Sequence, residues 1–217
     1  MMAVVAYGVA MLDKPLTRDG VYLADGLYAS ITVGAGDAQK QFMTTLDFVN
    51  APLQVANFVR TVEGKPAAGG RGAAGGGRGG GGGGGGRGGG GPEIPPIGKV
   101  DVTKGQISGV IASEIQKSVA VLSLPKVTNA SLKHDTAGVI GVSAPNAFYI
   151  TLEKNTGLDK KYTAIGKVIA GLGALKDIKK ADPLRSIRIT RVGQAARDFK
   201  TDDAAFKALV DSAAKKK

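Results

Sequence analysis

The 217-residue sequence has no cysteine, no tryptophan and a single histidine, His134. Without thiols there is no disulfide framework, no thiolate zinc site, no iron–sulfur cluster and no cysteine nucleophile. One imidazole excludes a His-rich metal site, and no metal or organic cofactor is expected. Long apolar runs are missing too: nothing approaches the roughly 18–20 apolar residues that span a bilayer. The longest run at the N-terminus, Ala3–Leu12, follows only Met1-Met2 and ends at Asp13-Lys14-Pro15. A secretory signal carries basic residues before such a run and a small-residue cleavage site after it. Ala3–Leu12 is therefore read as a loose first strand or terminus, with a cytoplasmic location expected; a degenerate or trimmed export signal is the alternative.

What the sequence has in excess is glycine and positive charge. Of its 34 glycines, 19 fall between Gly64 and Gly91, so an ordinary globular composition carries one abnormal insert. Glycine loses the most entropy on ordering and offers nothing to bury. Residues 64–92 are accordingly expected to be a flexible linker rather than an element. The net charge is +11, and the segment 64–91 holds four cations and no anion. Arg71, Arg78 and Arg87 stand there in glycine, two of them in Arg-Gly-Gly tripeptides. Such segments contact single-stranded nucleic acid by charge and arginine stacking. An acidic or RNA partner is therefore one reading, and a solvated lysine surface with a passive loop is the other. A phosphate-binding glycine loop is excluded, because it needs a strand before it and a helix after it.

Elsewhere the punctuation is regular. Gly26–Val33 alternates apolar and polar residues and meets a Gly-Ala-Gly-Asp turn, which predicts a strand and hairpin. Gln39–Phe48 offers a second strand. Asn50-Ala51-Pro52 opens a predicted helix, Pro52–Glu63, with Asn50 as the candidate N-cap and an apolar repeat of 3.6 residues. Short β-prone runs follow at Lys99–Thr103, Gln106–Ile111, Val119–Leu124, Ala137–Ser143, Ala147–Leu152 and Tyr162–Ile169, about ten residues apart. That rhythm argues an all-β barrel or sandwich. Gly171–Ile178 predicts a short helix and Arg185–Val192 a strand. Thr201-Asp202-Asp203 begins a short amphipathic helix with Phe206, Leu209, Val210 and Ala213 on one stripe, packed on the domain or on a partner. The expected organisation is an extension over 1–24, a domain over 25–195 interrupted by the insert, and a helical, lysine-ended tail over 196–217.

Two separated stretches then resemble one family. Asp25–Gly64, DGLYASITVGAG…NAPLQVANFVRTVEG, is similar to the first strands and helix of a cyclophilin. Leu132–Asp135 (LKHD), Ala137–Val139 (AGV), Phe148–Leu152 (FYITL), Leu158-Asp159, Tyr162–Val168 (YTAIGKV) and Ile187–Gly193 (IRITRVG) follow in cyclophilin order. The resemblance implies a mainly β fold: an eight-stranded antiparallel barrel closed by two helices. It also implies peptidyl-prolyl cis/trans isomerisation, with proline-containing polypeptides as partners and no metal.

The family's site motifs are less well kept. Cyclophilins place an arginine in an FHRVI-like strand followed by FMIQGGDP. The local match Ile107–Ile111 puts Gly109 at the arginine position, and Gln116 is the candidate for the glutamine that holds substrate backbone. In the SQFFITL-like segment the aromatic pocket wall maps to Tyr149, and the glutamine maps to Ala147. Leu158 and Tyr162 take the neighbouring pocket positions, with Gly157 where a large side chain is usual. The expected activity is that of a weakened isomerase or proline-peptide binder. A catalytically inactive interaction module is the alternative. Adjacent Phe148 and Tyr149 must point to opposite sides of their strand, and His134 is expected to be a satisfied surface or turn histidine.

Overall fold

The computed structural model describes residues 22–63, 98–103, 105–111, 124, 129, 131–144 and 146–215. The glycine-rich insert, the apolar run at the N-terminus, Gln116 and all but the last residue of the run Val119–Leu124 lie outside the described residues. Among the described residues, eight strands form the barrel: β1 (Gly26–Val33), β2 (Lys40–Leu46), β3 (Gly98–Thr103), β4 (Gln106–Ile111), β5 (Val139–Ala144), β6 (Ala147–Thr151), β7 (Thr163–Ala170) and β8 (Pro183–Val192). Every pairing is antiparallel, and the order β1-β2-β7-β5-β6-β4-β3-β8 closes on itself. Closure removes the exposed edges that an open sheet would present.

Alternation along each strand decides what fills the barrel. On β1, Leu27, Ala29, Ile31 and Val33 are buried in one apolar cluster with Phe42 and Leu46 of β2, Ile107 of β4, Ile140 of β5, Phe148 and Ile150 of β6, and Leu184 and Ile187 of β8. Tyr28 points the other way, into a small cluster with Leu23 and Val192. This is the period of two expected of a sheet with one face on a core.

Helix α1 (Pro52–Val62) begins with proline, as predicted, but its N-cap is Ala51 and no side chain caps it. Asn50 is otherwise engaged. Its backbone N–H donates to Asp47 Oδ1 at 3.1 Å, and its amide donates to the same carboxylate. Ala51, Val55, Phe58 and Val59 bury one face of this region against the barrel. Leu53 and Ala56 bury a second face against Phe206. The predicted tail helix forms as α3 (Asp203–Lys215), and it packs on the domain itself. A short helix that the sequence pattern did not suggest, α2 (Gly193–Asp198), precedes it. Gly171–Ile178 forms a 3₁₀ helix over Leu172–Asp177.

One side chain locks the helices together. Arg60 of α1 is 2% exposed; its Nη1–H donates to the Thr201 carbonyl at 2.6 Å and its Nη2–H to Asp203 Oδ1 at 2.6 Å. The guanidinium also lies 4.7 Å from the centre of the Phe206 ring, a cation–π distance.

Candidate functional site

The two faces of β6 have separate work. Phe148 faces the barrel interior and meets Phe58 edge-on, with ring centres 5.9 Å apart. Tyr149 takes the outer face, yet it is also enclosed, at 1% exposure. The expected opposition of the two rings is present, and both are buried because loops cover the outer face as well.

Register follows from the ladders. Asp101 of β3 pairs with Ser108 of β4, Ser108 with Tyr149, and Tyr149 with Gly141 of β5. Directly opposed residues share a face, so Asp101, Ser108, Tyr149 and Gly141 form one outward row across four strands. The next row, Val100–Gly109–Phe148–Val142, faces inward. Gly109 therefore belongs to the interior. A Cβ there would come within 2.5 Å of Phe148 Cε1, so an arginine at 109 would have to enter the core rather than reach an outer groove.

Among the described residues, the cover over Tyr149 comes from two loops. The turn containing the 3₁₀ helix Thr156–Leu158 contributes Leu158, Asp159 and Tyr162; the Tyr162 N–H donates to the Leu158 carbonyl at 2.8 Å. Tyr162 is half-buried, with its ring centre 5.5 Å from that of Tyr149. Leu158 is buried beside it in sequence, whereas Gly157 is exposed. Ala147, at the start of β6, is half-buried. So three of the expected residues, Tyr149, Leu158 and Tyr162, belong to one strand and the turn above it. Gly109 is on the opposite face of the sheet, and Gln116 is outside the described residues.

The second loop brings in His134, and here the expectation of a surface residue is corrected. The histidine is satisfied, but it is 0% exposed. Its Nδ1 lies 2.6 Å from Asp159 Oδ1, and its backbone N–H donates to the same oxygen at 3.0 Å. Its Nε2 lies 2.6 Å from the Tyr149 hydroxyl, with the rings stacked at 5.6 Å. The Tyr149 ring lies across Gly141, where a Cβ would meet Cζ at 2.5 Å. Burial pushes the Tyr149 phenol well above its usual value, helped by the Asp159 charge and by Tyr162. For Asp159, desolvation alone would raise the carboxyl; hydrogen bonds from the His134 backbone and ring outweigh it and hold the group below the usual range. The Asp159–His134 contact joins residues 25 apart, and no local spacing marks it. The only sequence signal was the pair of motifs LKHD and LD, read separately.

The described arginines, Arg60, Arg185, Arg188, Arg191 and Arg197, stand on α1, β8 and α2. None is on β3, β4, β5 or β6. Elsewhere, a cleft of about 350 Å³ opens between β1, β2 and the Ser131-Leu132 loop, lined among others by Asp25, Tyr28, Asp47, Phe48 and Lys167. It does not reach Tyr149 or Tyr162. Among the described residues no cluster of three His, Asp or Glu could hold a metal ion, and no helix is long and apolar enough to cross a membrane.

Comparison with known proteins places this geometry. The sequence profile of the family described as cyclophilin type peptidyl-prolyl cis-trans isomerase/CLD matches residues 80–194. Peptidyl-prolyl cis-trans isomerase-like 3 of Homo sapiens is 44% identical over 81 residues, which cover 31% of this chain and 50% of that protein. The protein of the same name from Rhizopus delemar is 37% identical over 76 residues, covering 29% and 45%. The chain thus matches about half the length of these curated relatives. A crystal structure of a Cryptosporidium parvum cyclophilin type peptidyl-prolyl cis-trans isomerase superposes with a TM-score of 0.51 at 14% identity, covering 78% of this chain and all of that one.

Proposed function

Since the chain belongs to the cyclophilin type peptidyl-prolyl cis-trans isomerase family, we propose that it binds proline-containing polypeptides and isomerises X–Pro bonds weakly. The proposed groove is the outer face of β3, β4 and β6, walled by Tyr162, with Leu158 buried on the same turn. Tyr149 backs that wall, because its own ring is enclosed. The observation that carries this reading is the outward row Asp101–Ser108–Tyr149. The family's arginine strand comes before its FMIQGGDP strand, and β3 comes before β4 here. On that order the arginine position is Asp101 of β3, not Gly109 of β4.

The chemistry follows from this replacement. Resonance holds the X–Pro amide planar behind a barrier of about 18–20 kcal/mol. An isomerase lowers it by binding the twisted amide better than either planar form. Twisting localises a lone pair on the prolyl nitrogen, and a donor aimed at that nitrogen stabilises the transition state. An ionised carboxylate has no hydrogen to donate. Losing one preorganised donor costs about 10²–10³ in rate. What remains is the half-exposed apolar ring of Tyr162, which suits a proline ring but does not favour the twisted amide over the planar one. Binding is thus retained more fully than catalysis.

The test is magnetisation-exchange NMR on a short X–Pro peptide, with and without the protein. Slow wild-type exchange, together with a rise of at least tenfold in Asp101→Arg, is the expected result. An Asp101→Arg protein unchanged in both rate and peptide binding overturns the assignment of the groove. The second reading, an inactive interaction module, is favoured by the same carboxylate; it requires that Asp101→Arg gain binding but no rate.

A further inference from the structure

We propose that Asp159 and His134 form a positioning relay that acts through Tyr149 on the groove-wall residue Tyr162. The proposal rests on the groove reading above, and goes beyond it by assigning a task to three side chains that never meet a ligand.

The geometry has a direction. The Asp159 carboxylate can only accept, so the His134 Nδ1 facing it at 2.6 Å carries the hydrogen. In the neutral ring Nε2 is then an acceptor, and the Tyr149 hydroxyl at 2.6 Å donates to it. Each group in the chain has its hydrogen-bonding role set by the group before it. The anchor is itself held, because the Asp159 oxygen also accepts the His134 backbone N–H at 3.0 Å. The relay therefore ties three separate pieces of backbone together: the 131–138 loop, β6 and the Thr156–Tyr162 turn.

Its consequence at the groove is positional. The end of the Tyr149 ring lies over Gly141, and its centre is 5.6 Å from that of His134 and 5.5 Å from that of Tyr162. With its hydroxyl donated to His134, the side chain cannot swing about χ1 without breaking a buried hydrogen bond, and unmade buried hydrogen bonds are costly. Tyr162 leans on a fixed surface as a result. Asp159 is three residues from Tyr162 on one turn, so the relay holds that wall both through Tyr149 and through the turn's own backbone.

Two measurements test the proposal, and only one depends on binding. Long-range ¹H–¹⁵N spectra at pH 7 should show His134 protonated at Nδ1, with the Tyr149 hydroxyl proton slow to exchange. His134→Leu removes both bonds; it should move the Tyr162 ring resonances and weaken binding of a proline peptide at least fivefold, measured where the variant is fully folded. His134→Gln keeps a donor and an acceptor, and should recover part of that loss. If His134→Leu does not fold, Tyr149→Phe carries the test, because it deletes only the last bond and should still move the Tyr162 resonances. An Nε2-protonated ring overturns the relay. So do unmoved Tyr162 resonances in the folded variant. A wild-type protein that binds no proline peptide overturns the groove reading instead, and the Tyr162 resonances then decide the relay alone.

Discussion

Gly109→Ala separates two accounts of one residue. If Gly109 were a lost side-chain position on an open groove, a methyl there would meet solvent, and removing a strand glycine would stabilise by about 0.5–1 kcal/mol. The structure gives the opposite sign. The new Cβ would sit 2.5 Å from Phe148 Cε1 and 3.1 Å from Cε2, against about 3.5–4.0 Å for an ordinary carbon contact. Something must move by about 1 Å. Phe148 is 1% exposed and meets Phe58 at 5.9 Å, so the ring has little room to retreat. Overpacking of this kind costs about 1–3 kcal/mol. Offsetting the entropy gain leaves a net loss on the order of 1 kcal/mol, and Gly109→Arg should be worse. Urea denaturation followed by circular dichroism measures this directly. A Gly109→Ala protein as stable as the wild type, or more so, would refute the inward placement, and with it the choice of β3 for the missing donor.

Further predictions concern stability away from the groove. Arg60→Ala should cost about 2–5 kcal/mol. The loss combines a charge-assisted hydrogen bond to a buried carbonyl (about 1.5–3 kcal/mol) with a cation–π contact (about 0.5–2 kcal/mol). Asp203→Asn should cost under about 1 kcal/mol, because that side chain is 74% exposed; equal losses in urea titrations would count against the latch. At the acid end, the depressed Asp159 carboxyl contributes stability above its ordinary value of about 3.9, and that stability fades as pH falls through the lower folded value. Melting temperatures of Asp159→Asn should therefore depend less on pH at the acid end than those of the wild type. At the alkaline end, the raised Tyr149 phenol contributes fully below about pH 10 and less as pH rises past it, so Tyr149→Phe should flatten the alkaline slope.

Local pattern was a reliable guide where one face of an element meets one core. Gly26–Val33 and Arg185–Val192 read as strands because alternation is a property of neighbouring residues, and the barrel uses that alternation directly. Asn50 shows the limit of such reading. It has the chemistry of an N-cap, but Asp47 three residues earlier competes for its backbone N–H and its amide, and Ala51 is left at the cap. The site was legible only in part. Tyr149, Leu158 and Tyr162 came from motifs that also build the core, and those motifs do not say which ring is covered.

The amino-acid sequence alone settled the strand rhythm, the two amphipathic helices, the absence of thiol chemistry and the resemblance that implied a closed β-barrel. Each of these depends on residue type and short spacing, which folding cannot rearrange. The tertiary structure decided what depends on distance in space. It turned Gly109 inward and Asp101 outward, because the β3–β4 register moves every side chain to one face or the other. It brought Arg60 to Thr201 and Asp203, 141 and 143 residues away, and His134 to Asp159 and Tyr149, 25 and 15 residues away. Buried hydrogen bonds of this kind satisfy groups that no local element can satisfy, so their partners are chosen only once the barrel has closed.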